Sequence, residues 1–498
     1  MARTPGSTPR NSVRKTPASR PKGTSVTGPP TGARPGMRIR MYRLGVGDCF
    51  LVSLPRPDGS PFNILIDCGI HAAETAGKDR IRKAAQDILA QSGARLDVIV
   101  GTHEHWDHMS GFFHAPDIFG QCTAGAIWCA WTEDLRDPLA RSLLTSRDKG
   151  ITALWGAMRH LRMAPAEDEP ARDWDGLMGF FGDSPGIGPK AKAAADALRK
   201  LAKSDADIVY RAPGEPPFDS ISDDWRIFVL GPPRDRDKME HIDPRKGSGE
   251  AYPLAASAMA AANLAAAVSA DDDPPFDRRF QIELERTHDM PFFRDHYWAD
   301  QGPDNGQAKP ENVQAEEEQT QDWRRIGHAW LDGAETLALQ LDKITNNTSL
   351  VLAIELGPKG ATDNRVILFA ADAQIGNWLS WQDVEWPDYA GRKVTGTDLL
   401  RRTVIYKVGH HASQNATLMT GGLETMQQLR LALVPTSAEM ARKVGWGTLP
   451  WPHLLDRLGE VTGDRVLRSD IGATPGVTTA TGFTVVESDL CFDVSIPL

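Results

Sequence analysis

One decapeptide, THEHWDHMSG at residues 102–111, constrains this chain more than any other part of the sequence. It follows the apolar run LDVIVG at 96–101, whose length and composition predict a buried β-strand. Four candidate metal ligands therefore lie at a strand-to-loop junction: His103, His105, Asp107 and His108. Imidazole and carboxylate groups gathered in this way suit zinc, with manganese or iron as alternatives.

The spacing within the decapeptide predicts two metal positions. His103 and His105 alternate along the chain, so both rings can turn to one side and share an ion. Asp107 and His108 follow in the turn, where they can hold a second ion. Two divalent ions a few ångströms apart form a hydrolytic site.

Two later segments supply further candidate ligands. The apolar run RVILFAADA at 365–373 ends on Asp372, where a carboxylate is costly unless it is paired or bound to a metal. The run VIYKVGHHAS at 404–413 ends on His410 and His411. Because adjacent side chains point in different directions, one histidine is expected to bind metal and the other to face substrate.

Composition sets limits on the class of protein. The 498 residues suffice for one large domain with insertions or for two domains. The net charge of −10 gives no general affinity for polyanions, so a nucleic-acid substrate requires a local basic patch. No apolar run matches a membrane span or a signal core, and the five cysteines are scattered. These features predict a cytoplasmic protein without a membrane partner.

The composition also divides the chain into four segments. Residues 1–36 form a basic tail with too little apolar content to fold. Strand and turn patterns over 37–114 and 323–498 predict two halves of one domain. Between them, 115–322 mixes charged helical stretches with low-complexity sequence. We expect a large, mainly helical insertion there, which acts as a cap or lid; a peripheral decoration is the alternative.

A short motif in this insertion points to phosphate. GIGPKA at 186–191 resembles the hairpin of a helix-hairpin-helix module, with Lys190 and Lys192 beside it. Backbone N–H groups at the start of a helix can hold phosphate. An ordinary Gly-Pro turn that opens an amphipathic helix is the alternative.

The order of these motifs is similar to the signature of the metallo-β-lactamase superfamily. The resemblance lies in GVGDCFLV, LIDCG, HEHWDHMSGF and HHAS. Within the superfamily the pattern resembles a bacterial branch that includes the hydrolase domains of DNA-uptake (competence) proteins. The resemblance implies an α/β fold, an αββα sandwich of the metallo-β-lactamase type, with two divalent ions, Zn²⁺ first and Mn²⁺ as the alternative.

The same resemblance implies roles for individual residues. Asp372 is expected to bridge the two ions, and His411 to bind the second, although His410 and His411 can exchange roles. Asp107 and His410 are the expected catalytic residues, with His410 as a phosphate contact or proton donor. A metal-bound hydroxide would attack the substrate. Asp67 is expected to support a metal-bound histidine from outside the ligand set, and Asp48 to act in a similar way. For each of them a turn or fold-stabilising role is the alternative.

One position departs from the family pattern. Where members often carry a further histidine, this chain has Asn346-Asn347-Thr348-Ser349-Leu350. Asn347 is at best a weak oxygen ligand. The first ion is then bound more loosely, or a histidine of the insertion completes it; the candidates are His241, His288 and His296.

Three functions follow from these observations. The first is a phosphodiesterase, similar to a nuclease, that acts on nucleic acid or a nucleotide. The second is a small-molecule hydrolase that acts on a phosphoester, lactone or thioester. The third is a non-catalytic metal-binding module in a larger assembly, and the intact ligand set argues against it. The sequence does not determine a protein partner.

Overall fold

The chain is described by a computed structural model. The described residues are 36–74, 77–163, 190–241, 282, 286, 289–293, 341–444, 446, 448–473 and 482–498. Several predictions lie outside these ranges: the basic tail over 1–35, residues 186–189 of the GIGPKA motif, His288 and His296.

Buried, β-branched and aromatic runs form the strands. In chain order these are β1 (Met37–Tyr42), β2 (Cys49–Pro55), β3 (Pro61–Cys68), β4 (Arg95–Gly101), β5 (Thr123–Ala130), β6 (Ile208–Arg211), β7 (Trp225–Gly231), β8 (Val351–Leu356), β9 (Arg365–Phe369), β10 (Glu385–Tyr389), β11 (Arg392–Thr395), β12 (Thr403–Lys407), β13 (Leu431–Val434), β14 (Val466–Arg468), β15 (Thr484–Glu487) and β16 (Cys491–Ile496).

The helices lie between these strands. In chain order they are α1 (Gly77–Gln91), α2 (Trp106–His114), α3 (Pro116–Phe119), α4 (Pro138–Met163), α5 (Ala191–Arg199), α6 (Arg236–Glu240), α7 (Ile375–Ser380), α8 (Gly396–Arg401), α9 (Ala438–Lys443) and α10 (Pro452–Thr462). A further helical stretch covers residues 341–347, directly before β8.

The strands form two large sheets and one separate hairpin. The first sheet has the order β15-β16-β1-β2-β3-β4-β5-β6, the second has the order β14-β13-β12-β9-β8-β7, and β10 pairs with β11. Strands β3 and β4 are parallel, as are β9 and β12. Parallel strands end at the same edge of a sheet, so the segments that follow each pair are brought together there.

Four layers result from the packing of these sheets. Side chains from both sheets meet in one apolar core, which includes Phe50, Val100 and Ile227. The outer face of the first sheet is covered by α1, α2, α3 and α5, and that of the second by α7, α8 and α10. This αββα layering agrees with the predicted mixed α/β fold.

The segment predicted as an insertion contributes strands to both sheets. Strands β5 and β6 extend the first sheet beyond β4, and β7 forms the edge of the second. The predicted boundary at residue 115 is therefore wrong for these strands, because TAGAIWCA and WRIFVLG are buried sheet strands rather than parts of a helical region. Helices α4 and α5 also lie in this segment. Its role as a cap or lid stays a prediction.

Among the described residues, no helix combines the length and apolar character needed to span a bilayer.

Candidate metal centre

The decapeptide lies where the sequence predicts it, at the junction of β4 and α2. His103 is in the connecting loop, and His105, which precedes α2, has an extended backbone. Asp107 and His108 occupy the first turn of the helix, where a negative side chain is favoured by the helix dipole. All four side chains are buried.

Three distant parts of the chain meet beside this turn. Ligand atoms of Asp107, His108, Asp372 and His411 all lie within 4.8 Å of one another. The Nε2 atom of His411 is 2.8 Å from Asp107 Oδ2 and 3.3 Å from Asp372 Oδ2. The Nε2 atom of His108 is 3.2 Å from Asp372 Oδ2. We call this four-residue cluster the second metal position.

His103 and His105 form a separate pair, which we call the first metal position. His103 Nε2 lies 3.1 Å from His105 Nδ1. Two nitrogens that share one tetrahedral zinc ion are separated by roughly 3.3 Å, so the pair has the spacing of joint ligands. His103 Nδ1 is 3.2 Å from the Ser349 hydroxyl and 3.1 Å from that of Thr102, which fixes the ring with Nε2 toward His105.

Electrostatics distinguish the two positions. At the first, burial lowers the pKa of His103 well below its usual range and that of His105 to about 3. At the second, burial opposes ionisation, but the carboxylate of Asp372 and its neighbours raise the pKa of His108 well above its usual value and that of His411 to about 10. Without metal, protonated imidazoles therefore balance the carboxylates of the second position.

The donor set of the second position fits a divalent metal ion. Two imidazoles and two carboxylates suit zinc or manganese. Asp107 Oδ1 is buried and has no hydrogen-bond partner among the described residues, whereas buried polar atoms are normally satisfied. A metal ion would satisfy such an acceptor and replace the imidazole protons, as is usual when metals bind histidine.

Asp67 lies at the end of β3, directly behind His108. Its Oδ2 atom is 2.8 Å from His108 Nδ1, and its carboxylate also accepts hydrogen bonds from the backbone N–H and the hydroxyl of Thr102. A hydrogen bond from His108 Nδ1–H to Asp67 leaves Nε2 directed at the cluster. The structure thus places Asp67 where the sequence predicts an outer supporting carboxylate.

A buried lysine next to the cluster was missed by the sequence analysis. The Lys407 ammonium contacts the Asp48 carboxylate, lies 3.3 Å from Asp372 Oδ1 and donates to the Ala371 carbonyl at 2.8 Å. Asp48 is therefore neutralised by Lys407. A charged residue within the apolar run VIYKVG is the sequence signal that points to such a partner.

The two adjacent histidines after β12 diverge. Both His410 and His411 have left-handed backbone angles, with φ of 41° and 52°. His411 joins the second metal position, whereas His410 does not. His410 Nε2 is 3.1 Å from Asn346 Nδ2, and His410 Nδ1 is 2.6 Å from the Ser413 hydroxyl. Burial lowers the pKa of His410 to about 4, so its ring is neutral near pH 7.

Asn347, considered from the sequence as a possible outer residue or at best a weak ligand, has both ends of its amide engaged elsewhere. Its Nδ2 atom donates to the backbone carbonyls of Lys238 and Met239 at 3.0 and 2.8 Å. Its Oδ1 atom accepts from the Asn377 backbone N–H at 2.9 Å. The side chain therefore joins the end of α6 to α7. Because successive side chains on a helix point in different directions, Asn347 points away from the centre and Asn346 points toward His410.

Of the three candidate histidines, His241 lies among the described residues. It does not complete the first metal position in this arrangement. The His241 backbone carbonyl accepts from Gly376 N–H at 2.8 Å, and His241 is in neither of the candidate ligand groups among the described residues.

Glu104, between the two histidines of the first position, is a second feature that the sequence analysis missed. Its carboxylate contacts the Arg147 guanidinium of α4 and lies 2.7 Å from that of Arg199 in α5. Burial opposes ionisation, but the two guanidinium groups lower the pKa of Glu104 to about 2. This buried ion pair connects the metal-binding loop to α4 and α5.

Comparison with known protein families matches part of the chain. Residues 42–127 match the family model described as the metallo-beta-lactamase superfamily. The matched segment includes the decapeptide, the strand β4 before it and the first part of β5. No curated protein matches the chain. Together, the family match and the His/Asp cluster support the metallo-beta-lactamase superfamily and, in general terms, a metal-dependent hydrolase.

Proposed function

We propose that this protein is a metal-dependent phosphodiesterase that acts on nucleic acid or a nucleotide. The observation that carries the proposal is the arrangement around His410. A neutral imidazole, that of His410, directly precedes the candidate ligand His411, and the His410 backbone N–H donates to Asp372 Oδ1 at 3.1 Å. Such a group can hydrogen-bond a phosphoryl oxygen next to the metals without adding charge.

The roles of the residues follow from their positions. Asp107, His108, Asp372 and His411 would hold the second ion, and His103 and His105 the first. When bound, such ions supply Lewis acidity and a nucleophile at neutral pH.

His410 supplies the hydrogen bond that the metals do not. Its ring is held by Ser413 and Asn346 and is only partly buried. Because Nε2 accepts from Asn346 Nδ2, the ring proton is on Nδ1, and this N–H would turn from Ser413 to a non-bridging phosphoryl oxygen or to the leaving-group oxygen. Because the ring is neutral near pH 7, it acts by hydrogen bonding and not as a fixed cation.

Charge argues for a small nucleic-acid footprint. The net charge of −10 is unfavourable for a long duplex, whose non-specific binding depends on many Lys and Arg contacts. Positive charge is present locally near the end of α2: Lys78 and Lys190, in addition to burial, lower the pKa of His114 to about 4. A nucleotide or a short single strand fits this distribution better than a long duplex.

The test is an assay panel with Mn²⁺ and Zn²⁺ as the added metals. Substrates are single-stranded DNA, plasmid, RNA, bis-p-nitrophenyl phosphate and a lactone. We expect cleavage of the phosphodiesters and loss of that cleavage in Asp107→Ala. The matched control is Asp117→Ala, an exposed aspartate of α3, which should retain activity. Hydrolysis of the lactone alone would overturn the phosphodiesterase and favour a small-molecule hydrolase.

A further inference from the structure

A buried carboxylate next to the first metal position belongs to neither candidate ligand group. Asp342 lies in the helical stretch 341–347 and is 5% exposed. Its Oδ1 atom is 3.7 Å from His105 Nε2. Its Oδ2 atom accepts from Asn346 Nδ2 at 3.2 Å, one helical turn later. The carboxylate thus faces the distal side of the His105 ring.

The surroundings of Asp342 make this burial costly. Its Oδ1 atom has no hydrogen-bond partner among the described residues. The carboxylates of Asp107 and Asp372 add to the negative potential around it. A buried carboxylate in an acidic environment is unfavourable unless a cation or a strong donor compensates it. A metal ion shared by His103 and His105 would supply that compensation.

The orientation of His105 indicates how Asp342 would act. His105 Nδ1 is the atom that faces His103 Nε2, so Nδ1 is the candidate ligand. An imidazole that binds metal through Nδ1 carries its proton on Nε2, and the atom nearest to that nitrogen in the Asp342 carboxylate is Oδ1, at 3.7 Å. Metal-bound histidines usually donate their second N–H to a carboxylate, as His108 does to Asp67.

We propose that Asp342 is a positioning residue of the first metal position. It accepts a hydrogen bond from His105 Nε2–H, keeps Nδ1 free for the metal, and adds negative charge where the family's further histidine is missing. The inference rests on the metal-dependent hydrolase proposed above. Its test therefore measures metal affinity and the tautomer of His105, and does not depend on catalytic turnover.

The first measurement is calorimetric titration of metal-free protein with Mn²⁺ or Zn²⁺. We expect Asp342→Asn and Asp342→Ala to weaken the weaker of two binding events by about 10- to 100-fold and to leave the tighter event unchanged. Asp363→Asn, at an exposed loop position, is the matched control and should leave both events unchanged. Unchanged affinity at both positions in the Asp342 variants would overturn the inference.

Two further readouts separate positioning from a structural role. Chemical denaturation of metal-free Asp342→Asn should show stability close to that of the natural chain, because the amide keeps the size and shape of the carboxyl group. Nitrogen-15 spectra of the zinc-loaded protein should show His105 protonated at Nε2, and this preference should be lost in Asp342→Ala. A destabilised metal-free variant with normal metal affinity would make Asp342 structural only. Absence of any metal binding in the natural chain would instead overturn the proposed function itself.

Discussion

The second metal position draws four ligands from three separate elements, whereas the first has two histidines from a single loop. Asp107 and His108 come from α2, Asp372 follows β9, and His411 follows β12. His103 and His105 have no third protein ligand within the same radius among the described residues. Because metal affinity rises with ligand number and negative charge, we expect the two positions to fill in order, the second before the first.

The residues that contact the candidate ligands from outside also differ between the two metal positions. Behind the second position, Asp67 orients His108, and Lys407 balances Asp48 and Asp372. Behind the first, Asp342 faces His105 with one carboxylate oxygen unsatisfied among the described residues. The supporting carboxylate of the second position is therefore hydrogen-bonded to its histidine at 2.8 Å without metal, whereas Asp342 Oδ1 is 3.7 Å from His105 Nε2.

Loss of His411 should have the largest effect. His411→Ala removes a ligand of the second position, so the tight metal equivalent should be lost and phosphodiesterase activity should fall by at least about 1000-fold, since bound metal supplies several kcal/mol of transition-state stabilisation. His103→Ala is the matched comparison and should retain the tight equivalent. Metal content by plasma spectrometry and hydrolysis of bis-p-nitrophenyl phosphate measure both effects. If His103→Ala lost the tight equivalent and His411→Ala kept it, the proposed order of filling would be reversed.

Removal of the buried lysine should affect stability more than any surface charge. Lys407→Met leaves Asp48 without its cation, so the free energy of unfolding of the metal-free protein should fall by about 3–5 kcal/mol. Lys443→Met, which breaks an exposed ion pair with Glu439, should cost less than about 1 kcal/mol. Urea denaturation measures the difference, and equal effects of the two substitutions would show that Lys407 does not neutralise the site.

The outer carboxylate of the second position should affect affinity without removing a ligand. Asp67→Asn removes the acceptor charge behind His108 and should weaken the tight binding event by about 10- to 100-fold. Asp58→Asn, in an exposed turn, should leave affinity unchanged. Calorimetric titration measures both variants. If Asp67→Asn weakened only the weaker binding event, Asp67 would support the first metal position and not the second.

The smallest expected effect concerns Asn347. Asn347→Ala removes hydrogen bonds between the end of α6 and α7, so the free energy of unfolding should fall by about 1–3 kcal/mol. Metal affinity should remain unchanged, because the side chain does not face either metal position. Denaturation and calorimetric titration of the same preparation test this. Weaker metal binding at unchanged stability would restore Asn347 as a ligand.

Sequence reasoning found the residues whose evidence is local. The decapeptide, the acid after RVILFA and the histidine pair after VIYKVG each stand out because polar groups end an apolar strand. Parallel pairing of β3 with β4 and of β9 with β12 then places these strand ends at common edges. The layered α/β arrangement follows from the same alternation of strands and helices.

The features that it missed depend on contacts between distant residues or on helical phase. Asn347 and Asn346 are neighbours in sequence, and only the helix that ends there decides which faces the centre. Glu104 requires Arg147 and Arg199, which come from α4 and α5. Strands β5 and β7 lay in a segment whose charged and low-complexity stretches masked two short apolar runs.

Titration of the metal-free protein with Mn²⁺, followed by calorimetry, tests the central claim most directly. The account predicts two separable binding events, of which the tighter is lost in His411→Ala and the weaker in His103→Ala. A folded, metal-free protein that shows no binding event, or two events that survive both substitutions, would contradict it.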